Sequence, residues 1–157
     1  LKNGDPFIGA IHFPLLDELY SARKGFGAYL NGNLIRSDDA HLYQQISFFS
    51  CCSRTYKQYK VTVPYKTRIF GSTCYSLCSI AKGISILGFE ATPKIWDIAA
   101  GWLIVKEAGK EIEILNNGSP FPIKTNFDYT TFNFPTIGGA TDKILARGKD
   151  QIIPINP

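Results

Sequence analysis

Two carboxylates, Glu90 and Asp97, stand seven residues apart in the run Glu90-Ala91-Thr92-Pro93-Lys94-Ile95-Trp96-Asp97-Ile98-Ala99-Ala100-Gly101. An aspartate at a helix start is ordinarily a cap and nothing more. A glutamate closing an apolar strand just before it widens the chemistry on offer. Magnesium prefers oxygen ligands and commonly takes one or two carboxylates, with phosphate oxygens filling further positions. Two carboxylates at one strand-helix junction suit such a cation, and they also suit a ligand rich in hydroxyls.

A second run, Arg68-Ile69-Phe70-Gly71-Ser72-Thr73, reads as a strand entering a helix through Gly-Ser-Thr. Free backbone N–H groups at a helix start and the helix dipole favour an anion, and a glycine there allows close approach. Most such starts bind nothing, so this run gains meaning only beside the carboxylates. Histidine chemistry has no support. His12 sits in an apolar strand, where a core position is expected, and His41 sits in a polar loop. Neither has a neighbouring Asp or Cys that suggests a triad or a zinc site. Cys51, Cys52, Cys74 and Cys78 lack a metal-ligand spacing and read as reduced, packed thiols. Tyr56, Lys57, Tyr59, Lys60, Tyr65 and Lys66 interleave rings with cations, as single-strand nucleic-acid binders do. Without a matching sheet motif they read as a solvated surface.

The elements that must position these residues follow from pattern. Phe7 to Phe13 is an apolar, β-favouring run, and Glu18 to Arg23 reads as its return strand. Asn31-Gly32 between Ala28-Tyr29-Leu30 and Leu34-Ile35 predicts a tight hairpin turn. Ser37 to Gln45 reads as a loop and Ile46 to Cys52 as a buried strand, while Arg54 to Lys66 is either a helix or an irregular connection. Arg68 to Phe70 predicts a short strand. A helix follows, capped by Ser72 or Thr73, faced by Leu77, Ile80 and Ala81, and stopped by Gly83. Ile84 to Phe89 returns as a strand. Pro93 and Asp97 mark the next helix start, with a wide apolar stripe to Ala108 and a stop at Gly109. Glu111 to Leu115 and Thr136 to Gly139 are strands, the stretch Asn116 to Pro120 is a turn, and Thr141 caps a last helix running to Lys149. The order predicts a layered α/β fold.

Bulk properties narrow the function classes. The net charge is +4, and the 17 Lys and Arg are scattered, so charge points to neither nucleic acid nor membrane. Hydrophobic residues at 45% support a packed core, and 157 residues fit one ordinary domain. The longest apolar stretch, Ile98 to Val105, is too short to span a bilayer, and no basic-then-apolar leader opens the chain. A cytoplasmic location is the expectation. The chain starts at Leu1, contains no Met, and opens on the turn-like Lys2-Asn3-Gly4-Asp5-Pro6. Residues 1–157 are therefore expected to be a single C-terminal region of a longer protein.

Three segments in order resemble the inositol monophosphatase family. Trp96-Asp97-Ile98-Ala99-Ala100-Gly101, followed by Glu107-Ala108-Gly109, is similar to its W-D-x-A-A-G stretch leading to E-A-G-G. Arg68 to Thr73, with Cys78, Ala81 and Gly83, resembles its R-x-x-G-S segment and helix. Glu18 to Gly32 resembles the hairpin before that. The resemblance implies the second half of an αβαβα sandwich and magnesium-dependent hydrolysis of a phosphate monoester. Inositol 1-phosphate is the default substrate, with related sugar and polyol phosphates behind it. The resemblance further implies that Asp97 is a catalytic metal ligand, that Glu90 contacts substrate hydroxyls, and that Gly71, Ser72 and Thr73 line the substrate pocket. Lithium inhibition is implied for the complete enzyme.

The family's first signature, D-P-x-D-G-T-x-N, is absent, as are its upstream Glu-Asp pair and the residues that orient the attacking water. The magnesium site would then need the missing N-terminal half, and this chain alone is expected to be inactive. Lys110 replaces a usual glycine just past a helix end, away from the expected site. A non-catalytic binding or assembly module derived from the same half, with a homodimer or partner covering exposed sheet, is the alternative. A nucleic-acid binder using the Tyr/Lys stretch is the third reading.

Overall fold

The computed structural model describes residues 1–35, 48–115 and 118–155. The expected loop at Ser37 to Gln45, with His41, lies outside them, as do Ile46, Ser47, Asn116 and Asn117.

The chain opens with β1 (Ile8–Phe13), β2 (Glu18–Arg23), β3 (Ala28–Leu30) and β4 (Asn33–Leu34), an antiparallel sheet in that spatial order. Asn31 and Gly32 both take positive φ, 49° and 78°, as the hairpin turn requires. Asn31 also locks the turn with its side chain: Oδ1 accepts from Leu19 N–H at 2.7 Å, and Nδ2 donates to Asp17 O at 2.7 Å.

The second sheet uses β5 (Phe48–Cys51), β7 (Thr67–Arg68), β8 (Ser85–Glu90), β9 (Glu111–Ile114) and β10 (Thr136–Gly139), in the order β7-β5-β8-β10-β9. β5 runs parallel to β7 and β8, and β10 runs antiparallel to β8 and β9. Two helices lie between the sheets, α2 (Thr73–Ala81) on the five-stranded sheet and α3 (Ile95–Glu107) on the four-stranded one. Their shared core includes Tyr20, Leu77, Ile80, Ile98 and Ile104. A last helix, α4 (Asp142–Gln151), covers the opposite face of the five-stranded sheet through Leu145. The layers are thus sheet, helices, sheet, helix, as a layered α/β fold requires.

Short α1 (Thr55–Gln58) and strand β6 (Tyr59–Val61) settle the undecided Arg54–Lys66 stretch. β6 pairs with β11 (Ile152–Pro154), so this part of the C-terminal tail is held by the chain itself. The expected strand Arg68 to Phe70 is shorter than its pattern. Phe70 leaves the sheet to pack edge-on against Phe48 and Tyr75, with ring centroids 5.7 and 4.9 Å apart, and Gly71 then turns the chain at φ +73°.

Small residues set how closely α3 sits. A Cβ on Gly101 would meet Leu77 Cδ1 at 2.6 Å and Leu77 Cβ at 2.9 Å, so glycine lets α3 touch α2. A Cβ on Gly9 would meet the Ala100 Cα at 3.2 Å, so Gly9 and Ala100 let α3 touch β1. Both helices end alike. Gly83 (φ +82°) and Gly109 (φ +71°) place the next N–H, from Ile84 and Lys110, on the carbonyls of Ser79 and Val105 at 2.9 and 3.1 Å. Lys110, just past the helix end as expected, is buried (3% exposed) and closes the helix through its backbone. Glu107, in the last turn of α3, accepts from Gly25 N–H at 2.8 Å and Gly27 N–H at 2.9 Å, which ties that helix end to the β2–β3 turn.

His12 corrects the expectation of a core histidine. Alternation along β1 sends Gly9, Ile11 and Phe13 toward α3 and leaves Ile8, Ala10 and His12 exposed on the outer face. That face carries no covering layer among the described residues.

Candidate active site

Glu90 is the last residue of β8 and is 4% exposed. Central position in the sheet puts it there. Gly88 and Glu90 alternate onto the face toward α2, where Gly88 leaves room for Ile80. Thr73, the first residue of α2, donates from Oγ1 to Glu90 Oε2 at 3.3 Å. Burial raises the Glu90 carboxyl above its ordinary 4.5, and the Ser76 and Thr73 hydroxyls oppose that rise by favouring the charged form. Ser76 faces the same carboxyl from one turn along α2. Even so, Ser76 Oγ and Glu90 Oε1 are both buried without completing a hydrogen bond.

Ser72 is the N-cap of α2, and its Oγ accepts from Tyr75 N–H at 3.3 Å. Of the two candidate caps, Ser72 fills the role because its backbone is still extended (φ −143°, ψ 117°). Thr73 is thereby freed to point at Glu90. The cap takes the Tyr75 N–H, and the amides before it stand at the positive end of the helix dipole. Gly71 is exposed, with open space where a Cβ would stand, so its glycine is needed for the left-handed backbone.

Asp97 is the third residue of α3, whose N-cap is Lys94. The Lys94 N–H donates to Asp97 Oδ2 at 2.8 Å, the return half of a capping box. A lysine side chain has no acceptor, and Lys94 Nζ instead bonds Thr130 O at 2.8 Å and Phe132 O at 3.0 Å. Oδ1 of Asp97 stays outside the capping bond. Cys74 on α2 donates from Sγ to Asp97 O at 3.4 Å. Burial pushes the Cys74 thiol up, and the charges of Asp97 and Glu90 push it further.

The first turn of α2 is therefore the hub. Through Thr73 it touches Glu90, and through Cys74 it touches Asp97. All five residues singled out from the sequence, Gly71, Ser72, Thr73, Glu90 and Asp97, meet at one edge of the helix layer. Cys74 and Ser76 were not foreseen. The signal for Ser76 was its i+3 spacing from Thr73, which puts both hydroxyls on one helix face. Among the described residues, no group of three His, Cys, Asp or Glu side chains is placed to hold a metal ion. An apolar cleft of about 380 Å³ lies beside Ile8, Trp96 and Phe121, lined by no carboxylate.

This arrangement agrees with a match to the inositol monophosphatase family over residues 1–142. The chain belongs to the inositol monophosphatase family. A fructose-1,6-bisphosphatase/inositol-1-monophosphatase of Aquifex aeolicus (strain VF5) is 32% identical over 135 residues, 78% of this chain and 50% of that protein. Nus factor SuhB of Xylella fastidiosa (strain Temecula1 / ATCC 700964) is 36% identical over 119 residues, 69% of this chain and 43% of that protein. Extragenic suppressor protein suhB from Bartonella henselae shares the fold with a TM-score of 0.70 at 24% identity, over 94% of this chain and 59% of that one. An IMPase/NADP phosphatase complexed with Mg2+ and phosphate shares it at 0.70 and 19% identity, over 93% of this chain and 55% of that one. The fold is thus that of the inositol monophosphatases. The chain spans about half the length of the curated relatives it matches. Among the described residues no helix is long and apolar enough to cross a membrane.

Proposed function

We propose that this chain supplies the substrate-side half of a magnesium-dependent phosphate monoester hydrolase acting on inositol 1-phosphate or a related sugar or polyol phosphate. Residues 1–157 would work as the C-terminal region of a longer polypeptide. The observation that carries the reading is the convergence on the first turn of α2, where Thr73 holds Glu90 and Cys74 holds the backbone of Asp97. An anion-favouring helix start, a hydroxyl-seeking carboxylate and a hard oxygen donor then share one place.

In this reading the Gly71-Ser72-Thr73 backbone receives the anionic ligand at the positive end of the α2 dipole. Glu90 accepts a ligand hydroxyl. Asp97 fits magnesium as one ligand, because it offers a hard oxygen and its capping bond occupies only Oδ2. When bound, the ion would lower the pKa of water and neutralise charge on the phosphate. One carboxylate does not hold a metal cluster, and no cluster of ligands joins it among the described residues, so in this reading the half bearing the D-P-x-D-G-T signature supplies the rest.

The test is phosphate release from inositol 1-phosphate and fructose 1,6-bisphosphate, with magnesium and with chelator. We expect none from the chain alone, and magnesium-dependent release once it is joined to a half bearing the D-P-x-D-G-T signature. Asp97→Asn should abolish that release while the fold survives, since Asn still accepts the Lys94 N–H. Turnover by the chain alone would overturn the half-site reading. Inactivity of the joined protein on every such monoester would overturn the phosphatase reading. A second reading, an assembly module, draws on the exposed outer face of the four-stranded sheet, where Ile8, Leu19 and Leu34 stand in the open.

A further inference from the structure

Glu90 is a buried carboxylate flanked by two hydroxyls of one helix face. Thr73 Oγ1 lies 3.3 Å from Oε2 and donates to it. Ser76, three residues on, is 1% exposed, and its Oγ has no hydrogen-bond partner. The other oxygen of Glu90, Oε1, is buried and equally unpartnered. A hydroxyl donor and a carboxylate acceptor left unsatisfied against the same group are each other's natural partners. Leaving either buried and unpaired forfeits its hydration without replacement. Such orphaned pairs persist where something else in the working state closes them.

We propose that Thr73 and Ser76 are positioning residues that clamp the Glu90 carboxylate, Ser76 taking the inner oxygen Oε1 and Thr73 steering the outer oxygen Oε2 toward one ligand hydroxyl. The ligand role rests on the phosphatase reading above; the clamp itself does not. Three features of the chain support it. The two hydroxyls share a face because residues i and i+3 are neighbours on a helix. Ser72 takes the capping role, so the Thr73 side chain is released from it. Gly88, two residues before Glu90 on the same face of β8, leaves room for Ile80, so α2 lies close against that face. A clamped carboxylate presents one acceptor in one direction. It therefore discriminates by the position of a hydroxyl and not merely by its presence.

Two measurements test this. The first uses the chain itself, with the Glu90 carboxyl carbon followed by NMR against pH. Among the described residues, the titratable groups that interact electrostatically with Glu90 include Cys51, on the other face of the sheet, and Cys74 on α2, both of which ionise far above the carboxyl range. Because both hydroxyls favour the charged form, Ser76→Ala and Thr73→Val should each move the Glu90 midpoint upward. Thr73→Ser should restore it. Unmoved midpoints in variants with wild-type circular dichroism would overturn the clamp, whatever the protein does.

The second uses the chain joined to its metal-binding half. Thr73→Val and Ser76→Ala should each raise KM about tenfold and leave kcat within about twofold, as expected when a ligand contact is lost in ground and transition states alike. Placed on Glu90→Gln, neither change should raise KM further. A loss of kcat at constant KM, or an effect that persists undiminished in Glu90→Gln, would overturn the ligand-positioning role. If wild-type protein released no phosphate, the phosphatase reading would fall and the ligand role with it, while the NMR titration would still decide the clamp.

Discussion

Replacing Gly101 by alanine sets two known effects against each other. In the middle of α3, alanine should stabilise the helix by about 1 kcal/mol, because glycine loses more backbone freedom on folding. The new Cβ would stand 2.6 Å from Leu77 Cδ1 and 2.9 Å from Leu77 Cβ. The first atom is the end of a side chain and can rotate away. The second is anchored to α2 and moves only if the helices part. Because that second atom is anchored, the cost falls in the upper part of the overpacking range, about 2–3 kcal/mol. The overlap should win, for a net loss of roughly 1–2 kcal/mol, equivalent to a fall in Tm of roughly 2–8 °C for a chain of this size. Urea unfolding followed by circular dichroism gives the free energy directly. Adding Leu77→Ala to Gly101→Ala should cost less than the two single losses summed, because the new methyl fills part of the vacated space. A Gly101→Ala protein as stable as wild type, or more so, would refute the claim that this glycine sets the α2–α3 approach.

Other changes test neighbouring parts of the argument. Glu107→Ala removes two hydrogen bonds from Gly25 and Gly27, against which losing a negative charge at a helix C-terminus gives a little back. A net loss of about 1–2 kcal/mol is expected in urea unfolding, with Glu107→Gln between. Glu90→Gln should be as stable as wild type near pH 4 and more stable at pH 7. The folded carboxyl is raised above 4.5, so wild-type stability is full below that value and falls as pH rises through the raised one. A stability gap that does not widen with pH would refute the burial of a charged Glu90. Cys51, pushed up to about 12 by burial, and Cys78, raised further by burial, should escape alkylation in the native chain at pH 8 and react on unfolding.

Local chemistry was legible because local geometry needs few residues. The Asn31-Gly32 turn, the Thr141 cap and the Gly83 and Gly109 stops each follow from a conformation or hydrogen bond confined to a handful of neighbours. The carboxylates Glu90 and Asp97 stood out for the same reason, since a strand end and a helix start seven residues apart must lie close. The resemblance across three segments then supplied the layered fold, which the observed sheets and helices bear out.

Pairing between distant segments was not legible. Sequence could offer Ser72 or Thr73 as the cap, but only the packed α2 shows Ser72 capping and Thr73 turned onto Glu90, 17 residues away. Nothing in the pattern of β1 separated its buried face from its bare one, because Ile8, Ile11 and Phe13 are all apolar and only the position of α3 decides which of them it covers. The sequence by itself determined the turns, the Thr141 cap, the glycine stops of the helices and the closeness of Glu90 and Asp97 along the chain. The tertiary structure alone decided that the first turn of α2 touches the Glu90 carboxylate and the Asp97 backbone, since that depends on how closely Gly101 and Ala100 let α3 approach.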